Sequence, residues 1–330
     1  MMTDLEGKKI LYISPKYYGY EAKIFSALKE RGAEIFQIYE NMEEVSYLYR
    51  FAYVYLPHQK PALMTRYYIR NISRISENID FVFVVRGASI TAEVMEYIKE
   101  RFPDSKYIMY QWDGVKNNPN ALAISKYFDI IFTFDVVDAD EYKWNYRPLF
   151  FINTIGGDTV AREIDIAYIC SLHSNRVSVL NKLKKLCKER NLTYFFYMYS
   201  KKVIYYKRKY LNRKPEYLAA NNLDVKFNTL SIDDTYKIYH KSKAVVDYTH
   251  PGQTGYTMRT IECLGNCCKL ITNNKFIKDA EFYNSNNIYI YDEANLEVPQ
   301  AFLDAEYVSM EASMYHYYSL DGWIDTIFAH

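Results

Sequence analysis

No apolar run in this chain approaches the roughly 20 residues that a membrane-crossing helix needs, so a soluble or at most peripheral protein is expected. Neither sign of charge dominates, since 41 Lys and Arg stand against 40 Asp and Glu in 330 residues. No global field therefore draws nucleic acid, and attraction to an anion must be local. The five cysteines (Cys170, Cys187, Cys263, Cys267 and Cys268) form no C-x-x-C pairs at zinc spacing. Their odd number and the adjacent Cys267 and Cys268 argue against a disulfide framework and for a reducing cytoplasm. The amino terminus, MMTDLEGKK, passes directly into a strand without the apolar core of a signal peptide. No H-E-x-x-H motif offers zinc ligands. The first strand-loop has only Gly19 in place of G-x-G-x-x-G, which disfavours a dinucleotide-dependent epimerase. No Asp-x-Asp triplet stands at a strand end, and Asp138-Ala139-Asp140 reads as a helix start.

What the chain does have is tyrosine, 36 of them. Alongside abundant Lys, Asn and Ile, these reflect base composition as much as chemistry, because a ring with a polar tip suits many half-buried positions. Short apolar runs alternate with helical patterns, the mark of parallel α/β architecture. Strands are expected at 9–14, 33–39, 80–86, 106–111 and 129–134, with 147–151 closing the first half. The stretch 42–78 reads as mostly helical, broken at Pro57 and Pro61. Thr154-Ile155-Gly156-Gly157-Asp158 is the most linker-like segment. A second series follows, with strands at 164–170, 193–199, 244–248, 269–272 and 287–292. Ser231 is expected to cap a helix with Asp234 at the capping-box position, and Gly265 to end the helix over 257–264. The pattern predicts two Rossmann-like domains facing a cleft, 1–157 and 158–314, with 315–330 packing back on the first. Ligands of such sheets lie beyond the carboxyl ends of the strands.

Residues 245–273 read VVDYTHPGQTGYTMRTIECLGNCCKLITN, a strand, a glycine-containing loop, a helix, a glycine and a strand. The helix amino terminus offers unpaired N–H groups and a positive dipole end, which suits phosphate oxygens. Arg259 stands in the first turn, where its fork matches a phosphate, and Glu262 one turn on can accept hydrogen bonds from two sugar hydroxyls. An ordinary strand-loop-helix with a surface Arg and Glu reads equally well from spacing alone.

The same segment resembles the donor-nucleotide region of GT-B glycosyltransferases, where a glycine loop and helix lead into Glu-Ala-x-Ala-x-Gly-x-Pro-Val-Val. Ile261-Glu262-Cys263-Leu264-Gly265-Asn266-Cys267-Cys268-Lys269-Leu270-Ile271 occupies that pattern here. The wider phrase HPxQTGxTMRTIExLGxxxKLITxN resembles a CgeB-like group of bacterial capsule and lipopolysaccharide biosynthesis proteins. KILYISPKYYGYE, YQWDGVKNNPN, YFDIIFTFDVVDA and YSLDGWI extend that resemblance over nearly the whole chain. It implies a GT-B fold, with 1–157 on the acceptor side and 158–314 binding nucleotide-sugar, and a sugar moved from a nucleotide-activated donor to a capsule, lipopolysaccharide or other surface-glycan acceptor. It also implies no bound metal and no resident cofactor, the nucleotide-sugar being a co-substrate. Glu262 would hold the ribose, and Arg259 with the loop His250, Gln253, Thr254, Gly255 and Thr257 would face the phosphates. Retaining GT-B enzymes often carry a glutamate where Thr254 stands, which puts that mechanism in doubt here.

Asp113, in Gln111-Trp112-Asp113-Gly114 at a strand end, is the candidate general base for an acceptor hydroxyl; a turn-forming Asp-Gly pair is the plainer reading. His250 either meets the donor phosphate or shapes its loop. His173 and Ser174, after the first strand of the second half, approach the donor phosphates or open a helix. Gly19 and Arg86 lie at strand ends that would face the cleft. Residues 199–214, YSKKVIYYKRKYLNRK, carry seven positive charges, which serve an anionic membrane surface or a solvated helix. The alternative to catalysis is a silent sugar- or nucleotide-binding component of a polysaccharide assembly complex.

Overall fold

The computed structural model describes residues 3–40, 60–152, 161–250 and 255–329. The chain divides into two compact units, Met1–Leu149 with Leu320–His330, and Phe150–Ser319.

The first unit is built on β1 (Lys9–Ser14), α1 (Tyr20–Glu30), β2 (Glu34–Tyr39), α2 (Lys60–Ile72), β3 (Phe81–Val85), α3 (Ala92–Arg101) and β4 (Lys106–Gln111). It continues through α4 (Asn120–Ser125), β5 (Ile130–Thr133), α5 (Val136–Tyr142) and β6 (Asn145–Tyr146). Its strands form a six-stranded parallel sheet in the order β2-β1-β3-β4-β5-β6. The inner strands KILYIS, FVFVV and KYIMYQ are buried almost end to end, as expected where helices cover both faces of a parallel sheet. Gly32 (φ +88°) ends α1 in the left-handed region, and a Cβ there would lie 2.0 Å from Glu6 Oε2. The helix over 136–142 starts earlier than Asp138, because Asp135 caps it by accepting from the N–H groups of Val137 and Asp138.

The second unit runs β7 (Ile164–Ser171), α6 (Arg176–Glu189), β8 (Tyr194–Tyr199), α7 (Lys202–Tyr206), a π-helical turn (Lys207–Leu211), α8 (Pro215–Ala219), β9 (Val225–Lys226) and α9 (Ile232–His240). It continues with β10 (Ser242–Asp247), α10 (Met258–Gly265), β11 (Lys269–Thr272), β12 (Ile288–Ile290), α11 (Gln300–Asp304) and α12 (Ala312–Tyr318). The sheet order is β12-β11-β10-β7-β8-β9, again parallel throughout. Ser231 caps α9 by accepting from the Asp234 N–H, and its hydroxyl donates to Asp234 Oδ2. Gly265 does not supply the turn that ends α10. Cys267 takes the left-handed conformation (φ +47°), while Gly265 makes room, since a Cβ there would lie 2.2 Å from the Phe151 ring.

The last helix, α13 (Leu320–Ile327), belongs to the first unit. The Arg31 side chain donates to Asp321 Oδ1 (2.8 Å) and to the Asp321 carbonyl. Trp323, fully buried, packs its indole 4.7 Å from the Tyr110 ring. The stretch 147–151, read from sequence as closing the first half, straddles the division: Leu149 ends one unit and Phe150 begins the other. The linker-like 154–158 and Pro57 lie outside the described residues, whereas Pro61 does not break the helix expected there but stands in the first turn of α2, where its missing N–H costs no helical bond.

Candidate functional site

Strand order fixes where each sheet can bind. In the second unit β7 lies at the centre, with β8 and β9 to one side and β10, β11 and β12 to the other. That is the 3-2-1-4-5-6 order, and the chain changes direction between β7 and β10. The loops leaving those two strands begin at Leu172 and Tyr248, and ligands of such sheets lie at the carboxyl edge beside the reversal.

Asp247, the last residue of β10, is fully buried and organises this edge. Its Oδ1 accepts from Arg259 Nη1 at 2.9 Å, and its Oδ2 accepts from the Thr257 hydroxyl at 2.7 Å. The Thr260 and Thr249 hydroxyls reach the same Oδ2 at 3.4 Å. Thr257 in turn caps α10 by accepting from the Thr260 N–H (3.1 Å). Arg259 also donates from Nε to the Tyr239 hydroxyl at 3.2 Å. Two of its three nitrogens are thus committed to the protein, and among the described residues Nη2 has no partner. Arg162 fastens the base of the arrangement. Its guanidinium donates to the carbonyls of Tyr239, Ser242, Asn266 and Cys267, tying the ends of α9 and α10 together. On the strand side, Asn273 clamps the loop, accepting from the Thr249 N–H and donating to the Thr249 carbonyl and to Glu293.

Glu262, one turn beyond Arg259, is 5 % exposed. Its charge, after burial itself, helps hold the Tyr236 hydroxyl above its ordinary pKa, and it has the same sense at Tyr239. Gly255 is buried, and Gln253 and Thr254 lie outside the described residues.

The facing loop is cationic. His173 Nδ1 and Ser174 Oγ are 3.0 Å apart, with Ser174 in the left-handed region (φ +54°). Asn175, not Ser174, occupies the cap position of α6, and its side chain makes no capping bond. Burial, together with the charges of Arg176, His250 and Arg208, pushes the His173 imidazole down to about 4. No carboxylate acts on it to oppose them. Among the described residues Arg176 has no salt bridge and no hydrogen bond from its side chain, and its Nε is buried without a partner. Its charge reaches Tyr168, Tyr248 and Tyr291. The hydroxyls of Tyr168 and Tyr291 are also buried without hydrogen-bond partners. Positive charge left unpaired beside orphaned donors is an arrangement completed by an anion.

Sequence reasoning had singled out His173 and Ser174 but passed over Arg176, which looked like an ordinary first-turn residue of a helix. Asp247 was equally hidden, as one polar residue ending an apolar strand. The available signal was position: Asp247 ends β10 and Arg176 opens the helix that follows β7, the two strands that flank the reversal of strand order.

In the first unit the reversal falls between β1 and β3. Arg86 leaves β3 in the left-handed region (φ +74°), costly for a residue with a Cβ. Its carbonyl is gripped by the side-chain amides of Gln111 and Asn118, both at 2.8 Å. Its Nε and Nη2 donate to Glu40 Oε2 at 2.9 and 2.8 Å, and Nη1 lies 3.8 Å from Asp113. Glu40 is buried, and burial pushes its carboxyl above the ordinary value, with Arg86 opposing. Asp113 is also raised by burial and held back by Arg86, but its side chain remains 40 % exposed. The candidate base is therefore accessible and charge-paired. Gly19 (φ +93°) opens α1 in the left-handed region, its N–H donating to Glu21; no hydrogen bond joins it to Arg86 or Asp113.

No family model and no curated protein sequence matches the chain. Solved structures do resemble it. An α-glucosyltransferase in complex with UDP and a 13-mer DNA aligns over 87 % of both chains with a TM-score of 0.54 at 11 % identity. MurG of Acinetobacter baumannii aligns over 98 % of this chain and 100 % of its own, with a TM-score of 0.53 at 9 % identity. A Listeria monocytogenes protein described as a UDP-N-acetylglucosamine 2-epimerase covers 86 % of this chain and 83 % of its own, with a TM-score of 0.50 at 11 % identity. At these identities the likeness is one of fold. Two parallel six-stranded Rossmann-like units make this the GT-B fold of glycosyltransferases.

Proposed function

We propose that the protein is a nucleotide-sugar-dependent glycosyltransferase whose donor phosphates bind at the β7–β10 edge. The observation that carries this reading is the uncompensated charge of Arg176, beside His173 and the spare Nη2 of Arg259, at the strand reversal of the second unit. In this account Arg176 and Arg259 Nη2 neutralise the charge that gathers on the departing phosphate, the type of stabilisation that contributes most to such transfers. Asp247 and Tyr239 hold Arg259 still, so little reorganisation is required. His250, Gly255 and Thr257 belong to the donor loop, with His173 and Ser174 on the loop after β7. Glu262 accepts the ribose hydroxyls.

Asp113 takes the proton of the acceptor hydroxyl as its oxygen forms the new bond to the anomeric carbon and the bond to phosphate breaks. No metal and no resident cofactor enters this scheme. The acceptor is a capsule, lipopolysaccharide or other surface glycan, the class implied by the sequence's resemblance to the CgeB-like group. The test is release of nucleoside diphosphate or monophosphate from a panel of nucleotide-sugars, measured with and without glycan acceptor. Asp113→Asn should lower turnover about 100-fold, the lower end for a general base, with donor affinity unchanged. Near-normal turnover in that variant would remove Asp113 from the mechanism.

The shared fold of the protein described as an epimerase favours one other reading, isomerisation of the bound nucleotide-sugar. An epimerase interconverts two nucleotide-sugars without acceptor, whereas a transferase consumes one only with it. A silent binding component binds nucleotide and does neither.

A further inference from the structure

The second unit carries a surface that donor binding leaves unused. From residue 190 to residue 215 the sequence contains no Asp or Glu. Within that stretch α7 and the π-helical turn form one continuous helical run over 202–211. Its inner side is firmly attached. Tyr205 is buried and hydrogen-bonded to Asn222 (2.6 Å), and Lys209 donates to the Tyr205 hydroxyl, the Ala220 carbonyl and Asn222. Arg208 donates to the Tyr217 hydroxyl, which itself donates to the Leu172 carbonyl.

The outer side is different. Val203, Tyr206, Lys207, Tyr210 and Leu211 follow the i, i+3, i+4, i+7, i+8 spacing of one helix face. Val203 is 79 % and Leu211 78 % exposed, with Tyr206 and Tyr210 exposed beside them and their rings stacked at 6.0 Å. Leu223 is 80 % exposed shortly beyond. Lys201, Lys202, Lys207, Arg213 and Lys214 are exposed, and none of them has an ion pair among the described residues. Aliphatic side chains stripped of packing and cations stripped of counter-ions, held on one rigid element, describe an interfacial helix.

We infer that the 201–214 face docks on an anionic phospholipid surface, with Val203, Tyr210 and Leu211 entering the headgroup layer and the free lysines and arginine meeting lipid phosphates. Charge complementarity selects an acidic partner. The exposed aliphatics select lipid over nucleic acid, whose phosphate backbone gives Val203 and Leu211 nothing to bury against. The inference is independent of the transferase reading and is tested without nucleotide.

The experiment is flotation of the whole chain with vesicles of phosphatidylcholine alone or mixed with phosphatidylglycerol, repeated with added single-stranded RNA. Wild-type protein should float with the anionic vesicles and not with the neutral ones. The double variant Val203→Ser/Leu211→Ser and the triple variant Lys201→Gln/Lys202→Gln/Lys207→Gln should each lose about tenfold or more of that binding. Both should melt at the wild-type temperature, because the altered side chains are exposed. Equal flotation with both vesicle types would overturn the inference. So would full binding by the Val203→Ser/Leu211→Ser variant, and RNA that displaces the vesicles from wild type would assign the face to nucleic acid instead.

Discussion

The two units solve the same topological problem with opposite electrostatics. Each reverses its strand order at one point, and each places an arginine–aspartate contact there. In the first unit the arginine is spent: Arg86 gives two nitrogens to buried Glu40 and turns the third towards Asp113. In the second unit the account does not close. Asp247 takes one nitrogen of Arg259, and among the described residues neither Arg176 nor His173 has an ion pair. A charge-neutral edge suits a hydroxyl-bearing ligand and a carboxylate that moves a proton, whereas a surplus of cations suits a phosphate. The fold is shared, and what differs is the charge that the loops carry.

The largest way to disturb this contrast is to break the buried ion pair on either side. Asp247→Ala leaves Arg259 without its partner and frees the Thr257 cap, and should cost about 3–5 kcal/mol in urea unfolding. Nucleotide binding should fall with it. Arg86→Met strands Glu40 in the first unit and should destabilise by a similar amount, about 3–5 kcal/mol. Nucleotide affinity should remain, however, and equal loss of binding in both variants would erase the distinction between the units.

A smaller and cleaner effect is expected at Arg176. Truncation to Ala removes no protein partner, so unfolding should be unchanged, while nucleotide affinity drops by about 1.5–3 kcal/mol, the range for charged hydrogen bonds. Calorimetric titration reads that difference directly.

The smallest effect concerns His173. Its folded imidazole titrates at about 4, against 6.5 for an unperturbed one. As the pH falls through about 6.5 the unfolded chain takes up a proton that the folded chain refuses until about 4, so stability declines across that window as the pH is lowered. Bound phosphate should reverse the repulsion and raise the His173 pKa. An NMR titration of the imidazole with and without nucleoside diphosphate checks the sign.

Much of the architecture was legible because buried parallel strands advertise themselves. KILYIS, KYIMYQ and KLIT were each bounded from their apolar runs alone, and Ser231 announced a helix start by residue type. Two-residue β9 was not legible, since Val225–Lys226 is too short to show a period. Gly265 misled for a physical reason: glycine ends helices, but here it admits the Phe151 ring, and distant packing of that kind leaves no local mark. In the candidate site the donor loop and Arg259 stood out, but their support did not. Asp247, Asn273 and Arg162 act through partners far along the chain, and the isolation of Arg176 is a property of what surrounds it. Charge balance became readable only when the loops were placed together.

The central claim is that the second unit's surplus positive charge is a phosphate site, and one measurement addresses it directly. Thermal stabilisation by UDP, GDP, TDP and CMP should be followed in wild type, Arg176→Ala and Arg86→Met. Binding linkage predicts that one nucleotide raises the melting temperature of wild type and of Arg86→Met, and that the same nucleotide at the same concentration has much less effect on Arg176→Ala. Equal stabilisation of all three proteins would contradict the account.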